Sequence, residues 1–271
     1  MILVNGIAAD SVAANDRGLY YGDGVFRTMT MRGGKVLQWP LHFAKLQADC
    51  LALGIECPSG NALAPDIAAI ASATPDCIVK IIVTRGAGLR GYALLAQASP
   101  TRIVIASPLA MNTHAVAGVH LHLCVLRLAY QPALAGVKHL NRLENVLARA
   151  EWNDAAIAEG LLCDQDGNAI GGTMSNLFIV EGGALVTPDL TRCGVAGVTR
   201  QRVMRIAQCN SLRCTIENIP LQRVYDADEL FLVNSVIGLW PVARLAHKSW
   251  MPGTVTANFK RWLDKDDAAA A

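Results

Sequence analysis

The chain has 271 residues, of which 52% are hydrophobic and 17% charged. This length suits one large domain or two of about 100 to 150 residues each, and the composition excludes a disordered chain. The net charge of +2 and the scattered Lys and Arg residues argue against a nucleic-acid partner or an acidic-lipid partner. Because no apolar stretch reaches the ~20 residues that span a bilayer and the N-terminus carries no basic segment before an apolar core, we expect a soluble, cytoplasmic protein.

The cysteines and histidines show no metal-binding spacing. None of the eight cysteines stands in a CxxC pair, and the six histidines form no HExxH motif. His120 and His122 point to one face of a predicted strand, which supplies too few ligands for a site. We therefore predict reduced thiols and no metal.

Turn signals, apolar residues at helical spacing and runs rich in Val and Ile predict the elements of the first half of the chain. In chain order they are a strand at 2–7, a hairpin of 25–31 and 35–38, a helix from Pro40 to about Gly54, a helix within 62–73, and strands at 77–84 and 102–106. A loose segment at 107–118 follows them. We place the domain boundary there, which gives an N-terminal domain of residues 1–115.

The second half, residues 116–271, predicts another mixed set of elements. The predicted strands lie at 119–126, 160–163, 176–180 and 229–233, and the predicted helices at 140–152 and 199–209. The first of these helices carries one apolar stripe, formed by Leu140, Leu143, Val146, Leu147 and Ala150. The charged and alanine-rich tail at 264–271 is predicted to fray. The fold class is α+β, or mixed α/β, in two domains.

Lys138 stands just after Gly136 and just before the predicted helix at 140–152. A lysine held at the mouth of a cleft there could lose part of its solvation, which lowers the pKa of the amine and favours imine chemistry. The alternative is a solvated lysine at the start of a helix, and the local pattern does not decide between the two.

Two glycine-containing loops suggest sites for anions. The loop at 194–199 leads into a helix near Thr199, and the unpaired N–H groups of a first helical turn favour a phosphate, although the loop could be an ordinary Thr N-cap. The loop at 84–92 places Arg85 and Arg90 among three glycines. Their planar donor groups suit carboxylates, although the loop could equally be a surface turn.

Several of these segments together resemble one family. The matching stretches are Asp16-Arg17-Gly18 with Tyr21-Gly22-Asp23-Gly24-Val25-Phe26, then 135–147, Ser175-Asn176-Leu177-Phe178 and Gly197-Val198-Thr199-Arg200. In this order they resemble the signatures of fold-type IV pyridoxal-phosphate (PLP) enzymes across nearly the whole chain. Within that class, the runs at 85–92 and 138–144 most resemble aminodeoxychorismate lyases, and Arg27 stands where aminotransferases usually carry an acidic residue.

The resemblance implies a cofactor, a reaction and a set of site residues. The cofactor would be PLP, with Lys138 as the Schiff-base lysine and general base. Val198 and Thr199 would hold the phosphate, with Ser235 as a second candidate, and Arg85 and Arg90 would bind substrate carboxylates. The reaction would convert 4-amino-4-deoxychorismate to 4-aminobenzoate and pyruvate for folate synthesis. The resemblance also implies a homodimer, with each site built between two domains and completed by a partner loop.

Two positions depart from the family pattern. The glutamate that pairs with the PLP pyridine nitrogen is replaced by Gly171, and an arginine that contacts the phosphate is replaced by Lys45. Lys45 still supplies a charge, but without a bidentate fork. The alternatives are therefore a D-amino-acid or branched-chain aminotransferase of the same fold and a degenerate relative that binds PLP weakly or not at all.

Overall fold

The protein is described here from a computed structural model that covers residues 1–94, 99–109, 118–251 and 253–270. It divides into two compact units. The first unit comprises Met1–Ala110, Val137–Asn141 and Ala269–Ala271, and the second comprises Met111–Gly136 and Arg142–Ala268. Each unit combines a sheet with helices, which confirms the predicted mixed α+β class. Among the described residues, no helix has the length and apolar character needed to cross a membrane.

The first unit is built on a six-stranded antiparallel sheet. Its elements are β1 (Ile2–Val4), β2 (Ile7–Ala8), α1 (Arg17–Tyr21), β3 (Gly24–Arg32), β4 (Lys35–Val36), α2 (Trp39–Ala52), α3 (Gly60–Ala73), β5 (Cys77–Thr84) and β6 (Thr101–Ser107). The strand order is β2-β1-β6-β5-β3-β4. Alternate residues of β5 are buried against α2 and α3, where Leu46, Leu63 and Ile70 are fully covered.

The predicted strand at 2–7 is two strands rather than one. Asn5 and Gly6 adopt positive φ angles of 51° and 87°, which turn the chain back so that β1 pairs with β2. An Asn-Gly pair between short strands is a strong hairpin signal, because both positions tolerate this backbone conformation. The prediction joined the strands by reading the apolar residues on both sides of the turn as one pattern.

The second unit is built on a nine-stranded mixed sheet. Its elements are β7 (Val119–Leu128), α4 (Leu143–Arg149), β8 (Ile157–Asp164), β9 (Ala169–Gly172), β10 (Asn176–Glu181), β11 (Ala184–Pro188), α5 (Val198–Cys209), β12 (Cys214–Glu217), α6 (Leu221–Asp226), β13 (Glu229–Asn234), β14 (Gly238–Leu245), β15 (Lys248–Ser249) and α7 (Thr254–Ala270). The order is β12-β11-β10-β13-β14-β7-β8-β9, with β15 on β14. Because Gly171 of β9 also pairs with Asn176 of β10, the strands from β10 round to β9 close into a ring.

The apolar side chains of the second unit fill both faces of this sheet. On one face, Phe178 and Phe231 stack with their ring centroids 5.1 Å apart and pack with Phe259 of α7. On the other face, Leu161 and Leu177 belong to a separate buried cluster. The near-continuous burial of β8, β10 and β13 follows from this two-sided packing.

Helix α4 begins at Leu143 rather than at Leu140, and its apolar stripe does not face the core of the second unit. Leu143, Val146 and Leu147 are 68%, 61% and 53% exposed, whereas Ala148 is buried. The prediction of the helix is confirmed, although most of its apolar stripe is exposed on the single chain. Periodicity shows that a helix has an apolar face, but not what covers it.

The tail is helical where fraying was predicted. Helix α7 runs through to Ala270, and its end is held by ion pairs that Arg202 of α5 makes with Asp266 at 2.8 Å and Asp267 at 2.6 Å. Arg202 is itself buried, so the carboxylates neutralise a charge that has little access to water. The acidic residues that suggested a solvated tail are the residues that anchor it.

The division of the chain differs from the prediction at the lysine segment. The predicted boundary at residue 115 lies outside the described residues. Residues 137–141 were expected in the C-terminal domain, but Val137–Asn141 belongs to the first unit. The physical reason is backbone pairing, since Val25 of β3 pairs with His139.

Candidate active site

Lys138 is held by its main chain against the edge of β3. The N–H of Phe26 donates to the carbonyl of Lys138 at 3.0 Å, and the N–H of Leu140 donates to the carbonyl of Gly24 at 2.9 Å. The N–H of Lys138 donates to a carboxylate oxygen of Asp49 at 3.2 Å. Both backbone polar groups of Lys138 are therefore fixed by residues of β3 and α2, which sets the point from which the side chain extends.

The side chain of Lys138 lies beside an aromatic ring, and its main chain bonds to a carboxylate that also holds two cations. Its Nζ atom is 4.4 Å from the centre of the Phe26 ring. Asp49 on α2 accepts from Arg27, from Lys45 and from the Lys138 main chain. The structure thus brings two predicted site residues, Lys45 and Lys138, together through a carboxylate that the sequence analysis did not single out. The only local signal was the four-residue spacing from Lys45 to Asp49 on a helix.

The Arg85 side chain is buried in the first unit, where its donors are hydrogen-bonded. Its guanidinium makes a bidentate contact with Asp23, at 2.8 Å and 3.1 Å, and donates to the carbonyls of Leu53 and Gly54 at 2.7 Å each. Arg17 also donates to Asp23 at 2.8 Å. Burial opposes the ionisation of Asp23, but the hydrogen bonds from Arg85 and Arg17 outweigh it and lower its pKa. The prediction that Arg85 binds a substrate carboxylate does not fit these bonds, because the arginine braces the loop instead.

Arg90 lies on the same loop in a different environment. Its side chain is exposed, as are those of Leu89 and Tyr92. Two hydrogen bonds fix the backbone of this loop. Arg17 donates to the carbonyl of Gly91 at 3.0 Å, and the N–H of Gly91 donates to the Tyr21 hydroxyl at 3.0 Å. A fixed backbone with an exposed guanidinium is suited to binding an anion from solution.

The start of α5 in the second unit fits a phosphate group. Gly197 is the N-cap and has no side chain to satisfy the first-turn N–H groups of the helix. A Cβ atom at Gly197 would lie 2.3 Å from Oδ1 of Asn176, so any larger residue there would displace the Asn176 side chain. Asn176 also donates to the carbonyl of Val195 at 2.7 Å and thereby fixes the loop. This N-terminus, of a 12-residue helix, provides open N–H groups and a positive dipole end for an anion.

Two hydroxyl groups lie next to this helix start. Thr199 is buried, and its hydroxyl is 3.1 Å from the hydroxyl of Ser235. The loop that carries Ser235 is organised by Asn234, which accepts from the N–H groups of Val236 and Ile237 at 2.8 Å each. The structure therefore brings together Val198, Thr199 and Ser235, as a phosphate-binding group requires.

Gly171 occupies the position where β9 closes the ring of strands. A Cβ atom at Gly171 would lie 2.8 Å from the carbonyl oxygen of Ser175, so even a small side chain requires the chain to shift. The buried carboxylate of Glu159 lies beside Gly172, the residue that follows Gly171. It accepts hydrogen bonds from the N–H groups of Gly160 and Thr173 at 3.0 Å each and from the Ser175 hydroxyl at 3.0 Å. Glu159 therefore organises the turn before β10, a role without a signal in the sequence.

A mixed group of possible metal ligands lies elsewhere in the second unit. The ligand atoms of His122, Cys124 and Glu151 all lie within 4.8 Å of one another. Glu151 accepts from His122 at 3.0 Å and from the N–H groups of Val125 and Leu126 at 2.6 Å and 2.9 Å. Through these bonds the Glu151 carboxylate supports the irregular end of β7. The absence of a metal stays a prediction.

Comparisons with known proteins agree on one family. The model of the family described as amino-transferase class IV matches residues 24–245. The chain is 33% identical over 250 residues to an aminodeoxychorismate lyase from Vibrio harveyi, covering 91% of this chain and 92% of that protein. It is 31% identical over 248 residues to a putative branched-chain-amino-acid aminotransferase from Methanocaldococcus jannaschii, covering 89% and 86%. A crystal structure of 4-amino-4-deoxychorismate lyase from Pseudomonas aeruginosa matches with a TM-score of 0.93 and 44% identity, covering 98% of this chain and 99% of that one.

Proposed function

Because the chain belongs to the amino-transferase class IV family, we propose that it is a PLP-dependent lyase that converts 4-amino-4-deoxychorismate to 4-aminobenzoate and pyruvate. The observation that carries the proposal is the match to a lyase of that name, at 44% identity over 98% of the chain. The fixed Lys138 segment and the phosphate-binding group at the start of α5 supply the parts that such an enzyme needs.

Lys138 is the proposed covalent attachment point and general base. When bound, PLP supplies a carbonyl that links to amines and a ring that accepts electrons. Once the substrate amine takes its place, the freed Lys138 amine would remove the proton at C4 of the substrate. Its backbone is fixed by Phe26 and Asp49, which limits the region that the amine can reach.

The other residues have proposed binding roles. The first-turn N–H groups of Val198 and Thr199, with the hydroxyls of Thr199 and Ser235, would hold the phosphate of PLP. Lys45 remains a proposed phosphate contact, although Asp49 already accepts a hydrogen bond from it. Arg90 is the proposed ligand of a substrate carboxylate. Arg85 is less suited to this role, because its donors are directed at Asp23, Leu53 and Gly54.

An aminotransferase of the same fold is the second candidate. The similarity to a putative branched-chain-amino-acid aminotransferase at 31% identity favours it, since the relative covers nearly the same length. Gly171 argues against it, because a glycine cannot hold a proton on the pyridine nitrogen. Because Gly171 also removes a contact to PLP, a degenerate relative that binds PLP weakly is the third candidate.

We also propose a cytoplasmic homodimer. All eight cysteines are free thiols, as expected in a reducing compartment. The apolar face of α4, formed by Leu143, Val146 and Leu147, is more than half exposed on the single chain. A second copy of the chain that covered this face would remove it from water.

The test is an absorbance scan of the purified protein with PLP, followed by addition of aminodeoxychorismate or D-alanine. The proposal predicts the band of lysine-bound PLP and formation of 4-aminobenzoate from the first substrate. Amino transfer from D-alanine with no 4-aminobenzoate would support the aminotransferase instead. A protein that gives no band at saturating PLP would support the degenerate relative.

A further inference from the structure

Asp49 is a buried carboxylate at the centre of the charged group beside Lys138. It lies on α2 with 1% of its surface exposed. It forms ion pairs with the guanidinium of Arg27 on β3 and the ammonium of Lys45 one turn earlier on α2. Its Oδ2 atom also accepts the N–H of Lys138 at 3.2 Å. One carboxylate thus serves two cations and the main chain of the lysine.

Both cations depend on this carboxylate. Burial lowers the pKa of Arg27 and of Lys45, and in each case the charge of Asp49 is the main opposing influence. Arg27 is only 3% exposed, so water cannot replace a lost partner. A buried cation without its counter-ion is strongly unfavourable, and its field reaches nearby groups with little screening.

The described groups around Asp49 are three cations and a thiol. Arg27 faces it from β3, Lys45 and the Cys50 thiol belong to α2, and Lys138 belongs to the segment at 137–141. The neighbouring Cys57 and burial raise the pKa of Cys50, which keeps this thiol neutral. Asp49 therefore supplies a negative charge to both of the cations that lie beside the Lys138 main chain.

We propose that Asp49 is a positioning residue for Lys138, which fixes its main chain and balances the positive charge around the nitrogen that joins the lysine to PLP. The proposal rests on the function proposed above. That nitrogen is cationic when protonated. Removing the carboxylate takes away the counter-ion of the buried Arg27, so the protonated form is disfavoured and the pKa of the nitrogen falls.

The test is a pH titration of the absorbance of lysine-bound PLP, without substrate, in wild type and in Asp49→Asn. We expect the apparent pKa to fall by about one unit or more, the scale for an opposite charge within a few ångströms. The matched control is Asp66→Asn. Asp66 is also a buried helical carboxylate of the first unit that pairs with an arginine, Arg102 at 2.5 Å, but it makes no bond to the lysine segment. It should lower the melting temperature without moving the titration.

Two further variants keep the test decisive if Asp49→Asn folds poorly. Lys45→Gln removes a cation and should raise the apparent pKa, and the double change Arg27→Met with Asp49→Asn restores the charge balance and should bring it back towards wild type. An unchanged pKa in a PLP-loaded Asp49→Asn, an equal shift in Asp66→Asn, or a fall in Lys45→Gln would overturn this inference alone. A wild type that gives no band of lysine-bound PLP would instead overturn the proposed function, and this inference with it.

Discussion

At the scale of single residues, Lys138 is distinguished from its neighbours by how its main chain is held. Lys80 on β5 offers a direct comparison, because its Nζ atom is 4.9 Å from the centre of the same Phe26 ring that Lys138 approaches to 4.4 Å. Only Lys138 has its backbone bonded to both Phe26 and Asp49. Proximity to the Phe26 ring therefore does not distinguish Lys138 from Lys80 as the residue that attaches PLP. The sequence motif and the fixed main chain of Lys138 do distinguish it.

Replacing Lys138 with Ala should abolish both covalent attachment of PLP and turnover. The same amine serves as attachment point and base, so no partial activity is expected from either role. Borohydride reduction followed by mass spectrometry measures the attachment, and Lys80→Ala is the matched control that should keep it. Normal turnover in Lys138→Ala would refute the assignment.

Replacing Thr199 with Val should weaken PLP binding by about 1 to 2 kcal/mol, the scale of one lost hydrogen bond to a charged group. This corresponds to a rise of about 5- to 30-fold in the dissociation constant, measured by titration with PLP. Thr256→Val is a suitable control, because the buried Thr256 hydroxyl has no partner among the described residues. A dissociation constant within twofold of wild type would remove Thr199 from the phosphate site.

Gly171 bears on the choice between elimination and amino transfer. A carboxylate that holds a proton on the pyridine nitrogen matters more to a transaminase than to a lyase, in which the departing group and the aromatic product draw the electrons onward. We therefore expect Gly171→Glu to raise D-alanine transamination relative to lyase turnover by about tenfold, the scale of one charge-assisted hydrogen bond. Both rates are measured in each variant.

The structure also supplies the control for this comparison. Any side chain at position 171 meets the Ser175 carbonyl, at 2.8 Å for an ideal Cβ atom, so Gly171→Ala reproduces the steric strain without the carboxylate. The idea fails if wild type already shows robust D-alanine transamination. It also fails if the lyase rate of Gly171→Glu rises by the larger factor, or if Gly171→Ala produces the same change in ratio.

At the scale of elements, helix α4 combines an apolar stripe with high exposure of the same residues. Its stripe of Leu143, Val146 and Leu147 is exposed, while Ala148 supplies its contact with the interior. Changing Val146 to Lys should therefore leave the fold intact and weaken the proposed dimer, because the charge would be buried against the second copy. Sedimentation velocity across a range of protein concentrations measures the change.

The control for this prediction is an equally apolar and exposed residue on another helix. Leu51 on α2 is 80% exposed, and Leu51→Lys should sediment as wild type does. A wild-type protein that is monomeric at all concentrations contradicts the proposal. So does a Val146→Lys variant whose dimer dissociates at the same concentration as wild type.

At the scale of the whole molecule, the sequence predicts those features that depend on neighbouring residues. Strand β5 runs from Cys77 to Thr84 as predicted, because its residues are rich in Val and Ile, which favour strands. The start of α5 was also predicted to within one residue, since a glycine and a threonine mark it. In both cases the local pattern and the fold require the same structure.

The features that the sequence did not predict depend on residues far apart in the chain. The Lys138 segment joins the first unit through pairing with β3, more than a hundred residues earlier, and no local pattern encodes that pairing. Arg85 was predicted to bind substrate because its loop is rich in glycine, but its donors are taken by Asp23 and by carbonyls of a distant turn. Asp49 and Glu159 acquire their roles in the same long-range way.

The most direct test of the central claim is the product stoichiometry of the PLP-loaded protein with 4-amino-4-deoxychorismate as its only substrate. A lyase releases 4-aminobenzoate and pyruvate together and leaves the cofactor unchanged, so the account predicts equal amounts of the two products over many turnovers without any added keto acid. Chromatography measures 4-aminobenzoate, and a coupled dehydrogenase assay measures pyruvate. A protein that retains PLP on Lys138 but forms no 4-aminobenzoate, or that turns over only when a keto acid is added, would contradict it.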